Sequence, residues 1–198
     1  MKEYFSNTMR IITNAIESID ETVYDELVDQ CEEVLRRGGK IIASGLGKNV
    51  PICEKFVGTL NSFGIDARFL HTNTAVHGDL GIVNKKDIVL LLSKGGNTPE
   101  TVMLAKYLKE RGTNTWLVTF SDKSKSEEYV DASLVLRLEN EGDKWDIVPN
   151  NSTTVYLILL QGIAIEMADR LGITLEDFGL NHPGGGIGAR IRGEQLWK

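Results

Sequence analysis

The segment SKGGNTPE, Ser93 to Glu100, follows a run of branched apolar residues and leads into a helix start. Thr98 suits an N-cap, Pro99 the first helical position and Glu100 the first turn. Two readings fit it equally. One is a well-capped helix whose dipole Glu100 complements. The other is a cradle in which the Ser93 hydroxyl and the backbone N–H groups around Gly95 and Gly96 converge on an anion such as phosphate. A second stretch, SGLGKN from Ser44 to Asn49, offers close backbone approach at Gly45 and Gly47 and a fixed positive charge at Lys48. It is neither a P-loop nor a full GxGxxG, because Val50 stands where the third glycine belongs. All three histidines, His71, His77 and His182, fall in strand-end or loop segments, and their spacing argues against zinc. In VPNNSTT, Asn151 or Ser152 can cap the following helix and hold a second anionic or hydroxyl group. In NHPGGGIGAR, four glycines beside His182 suggest a site, close chain packing or a flexible tail.

These stretches sit between regular elements. Apolar residues at positions 5, 9, 12, 16, 19 and 23 step by four and three, which predicts a helix with a narrow seam. That seam suits its own core and a subunit interface equally. Ser18 and Glu21 fit a capping box for a second helix from about residue 20, ended by Gly38-Gly39. From residue 40 onward strands and helices alternate: KIIASG, PICEKFVGTLNSF, DARFL, DIVLLLS, PETVMLAKYLKER, TNTWLVTF, a short helix near KSEEYV, ASLVLRL, the long helix STTVYLILLQGIAIEMADRLG, and a short helix near TLEDF. Alternation of this kind implies right-handed βαβ crossovers and a parallel sheet covered on both faces. The expected architecture is α/β, a three-layer αβα sandwich of five parallel strands in one domain spanning 1–198, with N-terminal helices over 1–37 and the core over 38–192. Ligands of such sheets bind at the carboxyl ends of the strands, where the unusual loops lie.

The chain of 198 residues is 41% hydrophobic and 25% charged, ordinary for a globular protein with a full core. A formal net charge of −6 argues against nucleic acid or an anionic membrane as the main partner. No stretch has the length of a membrane span and the N-terminus lacks a signal-peptide pattern, so a cytoplasmic location is expected. Cys31 and Cys53 show no CxxC or zinc spacing and read as reduced core thiols.

Taken together, GLGK, HGDLGIV, SKGGNTPE, PNNSTT and HPGGGIGAR resemble the sugar isomerase (SIS) family, and within it the arabinose 5-phosphate isomerases, over about residues 38 to 192. The resemblance implies the SIS fold with a flavodoxin-like strand order. It implies aldose–ketose interconversion of a pentose 5-phosphate through an enediolate, with no metal and no organic cofactor. Such chemistry needs two acid/base groups and a group that stabilises developing negative charge. The family's lysine matches Lys48, its first-turn glutamate Glu100, its glutamate before the P-x-x-S-T-T loop Glu141, and its two histidines His77 and His182. By that resemblance Glu100 or His182 is the carbon acid/base and Lys48 stabilises the enediolate. His77 and Glu141 position hydroxyls or relay protons. Ser44, Gly47, Ser93, Gly95, Gly96, Thr98, Ser152 and Thr153 bind substrate and its phosphate. The family also implies a homodimer or homotetramer with shared sites, and His182 is the residue expected to reach across. Another carboxylate in the acidic segment ENEGDKWD can stand in for Glu141.

The sequence departs from the family in two loops. The family's S-x-S-G-E-S loop becomes Ser93-Lys94-Gly95-Gly96-Asn97-Thr98, which removes a hydroxyl and a carboxylate and adds Lys94. Thr72 and Thr74 replace a proline and a glutamate in the loop expected to line the sugar. The chain ends at Lys198, so the paired regulatory domains of longer members are not expected. Two alternatives stand beside the pentose reading: a hexulose 6-phosphate isomerase, and a non-catalytic sugar-phosphate binding module.

Overall fold

The segments IIASG and IVLLL form the two central strands, and every residue of both is buried. The computed structural model describes residues 1–194. The strands are β1 (Ile41–Gly45), β2 (Ala67–His71), β3 (Ile88–Leu92), β4 (Asn114–Thr119) and β5 (Ala132–Val135), all parallel, in the order β2-β1-β3-β4-β5. That is the flavodoxin-like order. The helices are α1 (Lys2–Glu17), α2 (Glu21–Arg36), α3 (Asn49–Ser62), α4 (Pro99–Arg111), α5 (Asn151–Arg170), α6 (Leu175–Leu180) and α7 (Gly185–Ile191).

Side chains alternate across the sheet, as the strand period of two requires. Ile41, Ala43, Ile88, Leu90, Leu92, Trp116 and Val118 pack with residues of α2, α3 and α5. Ile42, Val89, Leu91 and Leu117 face Leu104, Ala105 and Leu108 of α4. Cys31 and Cys53 are buried free thiols, and burial is the main cause that pushes both pKa values up to about 12.

The α1 seam is buried only in part. Ile12 is buried in the chain's own core with Ile16 and Ile19 packed against it, whereas Phe5 and Met9 are exposed. The expected Ser18 cap is replaced by Asp20, whose carboxylate accepts from the N–H groups of Thr22 and Val23. Ser18 instead ends α1, its hydroxyl donating to the Ala15 carbonyl at 2.9 Å. The glycine cluster, read as a site, close chain packing or a flexible tail, folds as α7 (Gly185–Ile191), and Gly188 packs against the His182 carbonyl, where a side chain has no room.

What positions the site is strand register. Gly45 stands opposite His71 on one side and Leu92 on the other, and Leu92 stands opposite Val118. The strands end level, so the loops after β1, β2 and β3 leave from one edge. α3 and α4 start at that edge, and each points its positive dipole end toward it.

Candidate functional site

The loop after β3 is held by its neighbours rather than by its own few atoms. The Ser93 hydroxyl accepts from the Gly96 N–H at 3.2 Å. The Lys94 carbonyl accepts from the Thr119 hydroxyl (3.0 Å) and the Phe120 N–H (2.9 Å). The Gly96 carbonyl accepts from the hydroxyl and N–H of Ser126, at 2.7 and 3.2 Å. Asn97 donates to the Gly95 carbonyl and accepts from the Lys125 N–H, at 2.8 and 2.9 Å. A polar set from the end of β4 and the segment after it thus braces this loop. Thr98 sits at the N-cap of α4 with its side chain making no capping bond. The first-turn N–H groups of a helix have no intrahelical partner, so they remain donors for an anion. Glu100 is half-buried in that first turn.

The loop after β1 brings Lys48 to the start of α3, exposed at the same edge. Gly47 has φ +58, and Gly45 is packed so that an added Cβ would lie 2.8 Å from the Asn49 Cβ. The Asn49 amide donates to the Leu92 carbonyl at 3.1 Å and ties this loop to β3. Ser44 has a different task from the one expected. It is fully buried, and its hydroxyl is paired with that of Thr72 at 2.8 Å, joining the ends of β1 and β2. His77 closes a short 3-10 turn (Ala75–His77) after β2 and is exposed. The Thr74 hydroxyl donates to Asp79 at 2.7 Å within this loop.

Glu141 is the buried member of its acidic segment, with no exposed surface. Its oxygens accept from the Ser152 hydroxyl (2.6 Å), the Ser152 N–H (2.9 Å), the Asn150 N–H (3.0 Å) and the Lys94 ammonium (2.6 Å). Burial pushes its pKa up, but the bonds from Lys94, Ser152 and Asn150 outweigh it and hold the carboxyl below the ordinary glutamate value. An ionised carboxylate with four donors is built to hold structure rather than to take a carbon proton. It also fills the N-terminus of α5 with an internal anion. Ser152 is therefore committed to Glu141, and the Thr153 hydroxyl bonds back to the Asn150 carbonyl at 2.8 Å. Neither hydroxyl is a free donor for a second anion.

His182 stands apart from the other four. It stacks on Phe178 with ring centroids 4.0 Å apart, and its Nδ1 lies 2.7 Å from the Phe178 carbonyl oxygen. Phe178 packs on Phe63, and the Asn181 amide donates to the Ser62 carbonyl at 3.3 Å. Ser62 ends α3, whose 14 residues span about 20 Å from the edge that carries Lys48. Within one chain, His182 is at the opposite end of the sheet from the cradle.

Residues 34–168 match the SIS domain family. The chain belongs to that family. It is 33% identical over 184 residues to the arabinose 5-phosphate isomerase KdsD of Pseudomonas aeruginosa, covering 93% of this chain and 56% of that protein. The chain thus spans little more than half the length of this curated relative. An Escherichia coli CFT073 protein solved in complex with arabinose 5-phosphate superposes with a TM-score of 0.85 at 31% identity, covering 92% of this chain and 95% of that one. A structure described as a putative phosphosugar isomerase involved in capsule formation, from Bacteroides fragilis, gives a TM-score of 0.85 at 29% identity, covering 93% and 98%.

Within this SIS domain the two cradle glycines differ sharply. Gly96 has φ +60, and an added Cβ would meet the Ser124 Cβ at 2.5 Å, whereas Gly95 faces open space. Gly96→Ala should cost about 2–3 kcal/mol, from left-handed backbone strain plus the clash. Gly95→Ala should change stability by less than about 0.5 kcal/mol. Urea unfolding of the two variants checks the contrast. Among the described residues no helix is long and apolar enough to cross a membrane, and no three His, Cys, Asp or Glu side chains are grouped to hold a metal ion.

Proposed function

We propose that this chain is a phosphosugar aldose–ketose isomerase that interconverts D-ribulose 5-phosphate and D-arabinose 5-phosphate through an enediolate. The observation that carries the reading is a braced loop at the start of α4, suited to an anion, on the same sheet edge as Lys48, His77 and Glu100. Support for the substrate comes from the likeness to the KdsD enzyme and to the protein solved with arabinose 5-phosphate.

In this reading the phosphate sits on the start of α4, among Ser93, Gly95, Gly96 and Thr98. Glu100 removes a proton from C1 of the ketose and leaves an enediolate. Lys48 stabilises the negative charge on its oxygens, and His77 orients the hydroxyls and relays the C1 hydroxyl proton to the C2 oxygen. Return of the Glu100 proton to C2 then gives the aldose. The face of C2 that is protonated decides between the arabinose and ribose products. The proton transfers balance without a metal or organic cofactor. Glu141 acts as a positioning residue. Product analysis after incubation with ribulose 5-phosphate tests the substrate: arabinose 5-phosphate is expected, and conversion of a hexulose 6-phosphate alone would replace the pentose reading.

The separation of His182 from the cradle supports a site completed by a second copy. After random 1:1 co-assembly, Lys48→Ala and His182→Ala chains, each inactive alone, should recover about one quarter of wild-type activity, because one ordered chain pairing in four restores both residues, and a purified mixed dimer should recover about one half. No recovery would mean that His182 does not cross between subunits.

A further inference from the structure

Lys94 lies inside the loop before α4, and its ammonium is paired with the buried carboxylate of Glu141, 2.6 Å distant. Its side chain is 46% exposed, whereas Glu141 is fully buried. Its backbone is fixed by Thr119 and Phe120, so the charge is delivered across the end of β4 from a rigid base. The other donors to Glu141, namely Asn150 N–H, Ser152 N–H and the Ser152 hydroxyl, are neutral. Lys94 supplies the only full positive charge among these partners. Without it, a buried unit negative charge would stand behind the cradle, and a phosphate carrying nearly two negative charges would be repelled through a low-dielectric wall.

We infer that Lys94 is a specificity-determining residue that keeps the cradle receptive to phosphate by neutralising Glu141, rather than by binding the phosphate itself. The inference rests on the sugar-phosphate reading of the site. Asn97 braces the loop through its bonds to Gly95 and Lys125, and the positive charge in this loop comes from Lys94.

The test is calorimetric titration of inorganic phosphate and arabinose 5-phosphate into the full chain and four variants, with thermal melts of each to confirm folding. Lys94→Gln should weaken both ligands by about tenfold or more, and Lys94→Arg by less than about threefold. Glu141→Gln should bind phosphate at least as tightly as wild type despite a lower Tm, because Lys94 is then unpaired. The double variant Lys94→Gln/Glu141→Gln should regain most of the affinity lost in Lys94→Gln. A purely structural role would not produce that recovery. Wild-type affinity in Lys94→Gln overturns the inference. So does a double variant as weak as Lys94→Gln, which would make Lys94 a direct phosphate ligand. Absence of binding of either ligand to the wild-type chain would overturn the sugar-phosphate reading itself, and the inference with it.

Discussion

Glu100→Gln should lower kcat by about a thousandfold while changing KM by less than about threefold, because general acid–base catalysis contributes roughly 10²–10⁴. The substitution keeps the shape of the side chain and removes only its ability to take a proton. Glu100 sits in the first turn of α4, directly beside the donors that are to hold the phosphate. A structural explanation of its presence is available, since a first-turn carboxylate favours a helix by about 0.3–1 kcal/mol. That explanation predicts a small fall in Tm and nearly full activity. The two accounts therefore separate on one purified variant, through steady-state kinetics and a thermal melt. A loss below tenfold would move the carbon proton to another group, with His182 of a second copy next in line.

The second large effect is on stability. Glu141→Ala should destabilise the protein by about 3 kcal/mol at neutral pH, because it leaves the Ser152 hydroxyl and two N–H groups buried without their acceptor. The half-exposed Lys94 can return to water, so its lost partner adds little. For a chain of 198 residues that cost corresponds to roughly 6–12 °C in Tm. The effect has a defined pH dependence. The folded carboxyl titrates below the ordinary value near 4.5, despite the upward push of burial, because Lys94, Ser152 and Asn150 donate to it. Its ionisation therefore stabilises the fold above about pH 4.5, and that contribution fades as pH falls through the lower folded value. The Tm gap between wild type and Glu141→Ala should be widest near neutrality and shrink below about pH 4.5. A gap independent of pH would assign the loss to packing alone.

Local chemistry explains which parts of this structure were readable from the sequence. α4 runs from Pro99 to Arg111 as expected, because Pro99 starts it and Gly112, with φ +69, stops it. The parallel sheet and its two-faced core follow from buried branched runs alternating with helices, whereas the strand order was implied only by the family resemblance. The Asp20 cap was missed because Ser18 makes the S-x-x-E capping-box pattern with Glu21, whereas Asp20 has Val23 three residues on and caps through its own carboxylate alone. The 3-10 turns at Ala75–His77 and Asp79–Ile82 carry no periodic signal, being too short to show one.

In the site, legibility followed sequence distance. The loop before α4 is local, and SKGGNTPE marks it as a helix start with a candidate anion cradle. The bonds that brace it come from Thr119, Phe120, Lys125 and Ser126, more than twenty residues away, and nothing in the sequence marks them as partners. The same holds for the Ser44–Thr72 pair, which turns a candidate ligand into a buried strap. Glu141 looks like one carboxylate among several in ENEGDKWD. Only the fold reveals that it is the one sealed in, while Asp143 braces the turn by accepting from the N–H groups of Trp145, Ile147 and Val148. His182 matched the family by motif, but a motif carries no distances, and its position beside Ser62 became visible only in three dimensions.

The most direct test of the account is solvent proton exchange. The protein would be incubated in D2O with ribulose 5-phosphate and followed by NMR. Enediolate chemistry predicts deuterium at C1 of the recovered ketose and at C2 of a new aldose, arabinose 5-phosphate, with both signals abolished in Glu100→Gln. A wild-type chain that binds the sugar phosphate yet exchanges no carbon-bound proton, with this ketose or with other pentulose and hexulose phosphates, would contradict the account and leave a binding module.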